Sequence, residues 1–322
     1  MTVQKNIKRF LVRELPTSSP GLGGQARDIN MQGLAVGAEH CGATSQLASA
    51  WNAEGRIALE VPSDRQSLAR CVNELGEVAG VVCHESEGGH PSMWVNGRLR
   101  FLDMPQGAGA EVHSINNHSM TVGFQPNPNG VSGQAVMWND EGARPLELPP
   151  ALFSCAYDLN DQGAIVGSAF IDLQTRAFIW TDGSCQWLSP KKFGATAHAI
   201  NEAGHVAGIA FNRRNSSCPF ISIDGSFDLI KDLPLGHNQA NAINKWGYVV
   251  GIAEVAGKDD ERGDEFGFLW HAGKSVNLND LIDPREEWKI IYAHGINDHG
   301  QIVGVGERNG VPRPILLQPD WD

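Results

Sequence analysis

Three histidines, two arginines, a tyrosine and an asparagine recur at one position of a repeated phrase, and they are the side chains of this sequence best suited to chemistry. Each lies three residues before an asparagine that marks the repeat: Arg27, Arg70, His113, Tyr157, His198, Asn241 and His294. If equivalent positions stand at equal height around an axis, these residues form a polar ring. The imidazoles of His113, His198 and His294 could hold a divalent metal, since neutral ring nitrogens are common metal ligands. Joined by the guanidiniums of Arg27 and Arg70, the same ring could hold an anion. The competing reading is structural, with each side chain bonded to the neighbouring repeat. The familiar catalytic motifs are absent: there is no G-x-S-x-G elbow, H-E-x-x-H pair or G-x-x-x-x-G-K loop. The segment His84 to His90 holds metal-capable residues, but in a Gly-rich loop without fixed ligand geometry.

The elements that must position the ring follow from the phrase itself, which reads apolar-Asn-x-x-Gly, then a small apolar run, then a second Gly. Its asparagines are Asn30, Asn73, Asn116, Asn160, Asn201, Asn244 and Asn297, with successive differences of 43, 43, 44, 41, 43 and 53. A period near 43 is that of a four-stranded propeller blade. Roughly twenty residues after each Asn, an alternating apolar stretch ends in Trp51, Trp94, Trp138, Trp180 or Trp270, with Ser222 and Leu317 in the divergent copies. The Asn can bond its own turn, and the first Gly supplies the positive φ of a tight hairpin. Copy three has Ser119 at that glycine position, which predicts a distorted turn.

The last repeat has no room for a fourth strand after Leu317. Lys8 to Pro16 resembles the fourth-strand segment Arg98 to Pro105. The expectation is therefore an all-β, seven-bladed β-propeller of four-stranded blades, closed by the N-terminal strand completing the last blade. Residues 1–322 should form this single domain, without a linker.

The repeats resemble those of bacterial proteins with HAF repeats, whose units run roughly Ala-x-x-Ile-Asn-x-x-Gly-x-x-x-Gly and then His-Ala-Phe-x-Trp. The stretch from Leu278 through Trp288 to Gly304 is similar to that family's usual last repeat, and the resemblance extends over essentially the whole chain. The His of the name is mostly replaced here, by Leu47, Gln134, Arg176, Cys218, Phe266 and Arg313, with His90 the exception. The resemblance implies the propeller fold. It brings no catalytic set.

With 25 Lys and Arg against 37 Asp and Glu, the formal net charge is −12, which disfavours a nucleic-acid partner and suits a basic protein. Six cysteines are scattered without a C-x-x-C pair, as expected of reduced, structural thiols. The N-terminus lacks the apolar run of a secretory leader, and no segment reads as a membrane span, so the expected location is cytoplasmic.

The longest loop on one mouth of the expected ring, Lys258 to Glu265, carries Asp259, Asp260, Glu261, Asp264 and Glu265. Long loops on a rigid scaffold commonly bind partners. Calcium capture there is a weaker reading, because the spacing is not that of an EF-hand. Trp246 sits in an Asn-x-x-Gly turn and is a further contact candidate. Taken together, these features favour a non-catalytic, protein-binding propeller without a cofactor, such as an immunity or inhibitor protein that neutralises a basic effector like a toxin. The alternative is a small-ligand or carbohydrate-binding propeller (lectin), or a metal-assisted lyase or hydrolase, using the central ring.

Overall fold

The computed structural model describes residues 7–19, 21–42, 45–84, 88–104, 109–127, 132–211, 217–255 and 263–321. Among the described residues, apart from two short 3-10 turns, Leu278–Leu281 and Pro284–Glu286, every regular element is a β-strand. Each repeat unit, numbered here by its asparagine from Asn30 to Asn297, is an antiparallel meander. In the first unit the strands are Gly24–Ile29, Ala35–His40, Gln46–Asn52 and Gly55–Ala58, paired in that order.

The expected seven separate four-stranded blades are not found. Five sheets stand as separate four-stranded blades, and the strands of the third and fourth repeat units share one eight-stranded sheet. The join is a parallel pairing of Gly133 with Phe153. Its cause is local: the Phe153 ring packs on that of Phe124, with centroids 4.8 Å apart, and a Cβ on Gly133 would run into the Phe124 ring. The bare glycine thus leaves room for the Phe124 ring on which Phe153 packs.

The last sheet brings together strands far apart in sequence. Ile7–Glu14 pairs antiparallel with Val311–Trp321, which continues through Ile302–Arg308 to the inner strand Lys289–Ile296. Phe10 and Leu15 are buried by this pairing, and the Leu15 N–H donates to the Pro314 carbonyl.

The apolar core lies between neighbouring units rather than within one. Val36, Ala48 and Ala50 of the first unit pack with Ala69, Val78, Val82 and Trp94 of the second, while Ala26 and Trp51 of the first pack with Val303 and Leu316 of the last. The repeated tryptophans add a polar tie. Trp51, Trp94, Trp138 and Trp180 donate through Nε1 to the carbonyls of Pro16, Glu60, Asp103 and Glu147.

The asparagines close a circle. Asn30 Nδ2 donates to the Asn73 carbonyl, Asn73 to Asn116, and so on through Asn160, Asn201 and Asn244 to Asn297, whose Nδ2 returns to the Asn30 carbonyl at 2.9 Å. Each Oδ1 meanwhile accepts N–H bonds within its own turn, as Asn160 does from Gln162 and Ala164. One side chain therefore holds its hairpin and the next unit together. The third turn is not distorted. Ser119 adopts the left-handed φ of +57° in place of glycine, keeps the same turn bond to Asn116, and donates its hydroxyl to Glu77.

Candidate functional site: an axial cavity lined by bulge residues

The inner strands of all the units carry a β-bulge at the same place. Pairing with the second strand skips from Ala26 to Asp28, Ala69 to Cys71, Val112 to Ser114, Ala156 to Asp158, Ala197 to Ala199, Ala240 to Ala242 and Ala293 to Gly295. The residue left unpaired is in every case the ring position. A bulge breaks the two-residue alternation and re-aims side chains, so both the ring residue and the one after it face the axis.

The second glycine of each phrase permits this geometry. Gly208 lies opposite Ala197, and a Cβ there would collide with the Thr196 carbonyl oxygen. Gly37 stands in the same relation to Gln25, and Gly251 to Gln239.

The outcome is one axial cavity of about 350 Å³ lined by all the predicted ring residues, Arg27, Arg70, His113, Tyr157, His198, Asn241 and His294. Part of the structural reading also holds, because three of these side chains tie to the next unit. His113 Nδ1 donates to the Ala156 carbonyl at 2.9 Å, His198 Nδ1 to Ala240 at 3.0 Å, and Asn241 Nδ2 to Ala293 at 2.8 Å. For His198 that bond places the proton on Nδ1 and leaves Nε2 as an acceptor, whereas His113 Nε2 lies 3.4 Å from the Glu111 carboxylate. Tyr157 is held between two rings, stacked on His113 and edge-on to His198.

A second tier, Asp28, Cys71, Ser114, Asp158, Ala199, Ala242 and Gly295, lines the same cavity. Sequence reasoning missed it because strict alternation would point these residues away from the axis. The available signal was Asp28 and Asp158, two carboxylates each directly after a ring position. Their role is partly architectural: Asp28 accepts from the N–H groups of Ile29 and of Val72 in the next unit, and Asp158 accepts from Leu159, from Ile200 and from the Ser114 hydroxyl.

Electrostatically the cavity is uneven. Burial, helped by the nearby Arg27 charge, pushes His294 down to about 3, and burial likewise lowers His198, so both are neutral at pH 7. Burial raises Asp28, and raises Asp158 to about 7 despite its hydrogen bonds. Arg70 forms an ion pair with Glu111 at 2.7 Å, and Glu111 is held below its ordinary range by its hydrogen bond to His113, with the Arg70 charge contributing. The Nε atoms of Arg27 and Arg70 are both buried without a hydrogen-bond partner, but Arg27 lacks the carboxylate that Arg70 has in Glu111. Burial and the Arg70 charge lower Arg27 to about 10, which still leaves it charged at pH 7.

The imidazoles do not form a metal centre. Among the described residues, no group of three or more His, Cys, Asp or Glu is arranged to hold a metal ion. The other predicted contact residues are dispersed. Asp259, Asp260 and Glu261 lie outside the described residues. Asp264 pairs with Lys289 at 3.2 Å, and Glu265 accepts the Tyr292 hydroxyl at 2.6 Å. Trp246 is 55% exposed yet donates through Nε1 to the Asp298 carbonyl, with Lys245 over its ring. Trp246 and Asp264 stand at opposite ends of the strand pair Val249–Val255 and Asp264–His271, roughly 20 Å apart at the usual rise per residue. The six cysteines carry no disulfide. No helix among the described residues is long and apolar enough to cross a membrane.

A ring of β-meander units around an axial cavity defines an all-β propeller. The chain belongs to the family described as "Protein of unknown function (DUF3466)", whose model matches residues 147–313. No curated protein matches the sequence. Among solved structures, the chain is similar to the β-propeller domain of the Trilobed protease from Pyrococcus furiosus, at a TM-score of 0.58 and 12% identity, covering 93% of this chain and 97% of that one. It is also similar to the Pyrococcus horikoshii acylaminoacyl peptidase, at a TM-score of 0.56 and 12% identity, covering 92% of this chain and 52% of that one. The chain thus spans about half the length of that peptidase. These likenesses are of fold. The Pyrococcus furiosus domain is described as having an open velcro topology, whereas here Ile7–Glu14 completes the last sheet.

Proposed function

We propose that this protein is a binding propeller whose axial cavity takes a small anion. The observation that carries this reading is Arg27, a half-buried guanidinium in no ion pair among the described residues and with its shielded Nε unpartnered, placed where every bulge side chain converges. A buried charge without a counter-charge is costly, and a charge-assisted, bidentate contact to a bound carboxylate or phosphate would offset that cost. Asn241 Nδ2, which donates one N–H to the Ala293 carbonyl, has a second N–H to offer an anion. The cavity volume falls at the lower end of the range usual for small-ligand sites.

Calorimetric titration with acetate and with inorganic phosphate at low salt tests the reading. Saturable binding is expected, weakened at least tenfold by Arg27→Gln. No saturable binding of either anion, or binding unchanged in the variant, would overturn it.

A basic protein partner at the acidic mouth is the second reading. Its supports are the net charge of −12 and the Asp264 side chain, which is 86% exposed. Charge reversal at Asp264 together with Asp259, Asp260 and Glu261 should weaken capture of a basic partner, and unchanged capture would count against it.

A further inference from the structure

A second cavity, of about 480 Å³, lies beside the axial one between the second and third repeat units. Its walls differ in character from those of the axial cavity: Leu68, Val81, Cys83, Phe124 and Pro126 present carbon and sulfur. Gly89 also lines it, and a Cβ there would press on the Val81 side chain at 2.8 Å, so the absence of a side chain keeps that wall open. Arg70 lines both cavities, and its partner Glu111 lines the second. The Arg70–Glu111 pair therefore stands where the polar and the apolar spaces meet. It is only partly covered, with side-chain exposures of 27% and 48%.

We infer that the ligand is an amphipathic carboxylic acid, its carboxylate on Arg27 in the axial cavity and its apolar portion passing Arg70 to lie against Leu68, Val81 and Phe124. This rests on the anion-binding reading of the axial cavity. A carboxylate matches the planar guanidinium in two parallel hydrogen bonds, and apolar surface is driven into a carbon-lined space in proportion to the area it buries. Neither cavity alone would select such a molecule. A head group without a tail leaves the second cavity unused, and a tail without a head leaves Arg27 uncompensated.

The experiment compares acetate, octanoate and 1-octanol by calorimetry on the intact protein, below the concentration at which octanoate aggregates. Octanoate is expected to bind at least tenfold tighter than acetate, and 1-octanol at least tenfold weaker than octanoate. In Leu68→Gln, the octanoate advantage should fall several-fold while acetate affinity stays at the wild-type value. The acetate measurement in that variant also reports that the axial site has kept its fold. Octanoate binding no tighter than acetate would overturn the inference and leave the anion site standing. Failure of acetate, phosphate and octanoate alike would overturn the anion site itself, and with it this inference.

Discussion

His294 sits among protein atoms on the cavity wall, and its environment resists a proton in two ways: burial first, then the neighbouring Arg27 charge. Its folded-state value of about 3 lies well below the ordinary 6.5. Between those values the unfolded chain binds more protons than the folded one, so stability falls as pH drops through this window. Asp158 acts in the opposite sense. Its folded value of about 7 exceeds the ordinary 3.8, so over that interval the folded state binds the extra proton and stability rises as pH falls. Because the two slopes oppose, the wild-type acid limb alone would hide both. Subtracting a His294→Gln variant isolates the histidine. Relative to the variant, the wild-type protein should lose about 2 kcal/mol of unfolding free energy between pH 6.5 and pH 5, at ~1.4 kcal/mol per pH unit. Urea unfolding of both proteins at each pH measures this, and a pH-independent difference would show that the imidazole is not held neutral. An anion bound at Arg27 should raise the lower end of that window, since it offsets the second of the two causes.

Among the elements, the bulge and its opposing glycine form one device. Gly204 and Gly208 of the fifth unit separate two reasons for glycine that the sequence phrase shows side by side. Gly204 has a φ of +78° and open space around its would-be Cβ, so Gly204→Ala should cost only the left-handed backbone penalty, about 1–2 kcal/mol. Gly208 has ordinary φ, but its would-be Cβ points at backbone, the Thr196 carbonyl, which cannot rotate away. Gly208→Ala should therefore cost about 3 kcal/mol, the upper end of overpacking penalties, because the bulge carrying His198 must open. Urea midpoints of the two variants decide this, and equal midpoints would refute the distinction. The same device explains what could and could not be read beforehand. The ring residues were legible because they break the apolar code at a fixed offset from each Asn. Asp28, Asp158 and their tier were not, because a bulge is an exception to the very alternation used to assign faces. The eight-stranded sheet was equally hidden, since it depends on Gly133 meeting Phe153 across a unit boundary. The Leu68–Phe124 cavity joins residues of neighbouring units whose proximity no single repeat reveals. Ser119 was misjudged for a different reason: its hydroxyl bond to Glu77 lets a non-glycine residue hold the left-handed turn without disturbing it.

At the scale of the whole molecule, stability is a cyclic property. Every unit hands its core to the next, and the circle of asparagine bonds has no natural end. The ring is joined inside the last sheet, where Ile7–Glu14 covers the edge of Val311–Trp321. Removing residues 1–16 would do three things at once. It exposes a long strand edge with unpaired N–H and C=O groups. It takes Phe10 out of the cluster containing Leu278, Ile290 and Ile315, and Leu15 out of that containing Trp51 and Val303. It also leaves the buried Trp51 Nε1 without its Pro16 acceptor. Loss of a buried phenylalanine alone is worth about 3–5 kcal/mol, which is a large part of the stability of a typical domain. Because neighbouring units share their cores, the damage should appear as a lower Tm of a single transition, by ten degrees or more, and not as early melting of one blade. Phe10→Ala should reproduce a smaller part of the shift. Differential scanning calorimetry distinguishes the cases: an unchanged Tm would refute closure through the N-terminal strand, and a split transition would refute the cyclic coupling of the units.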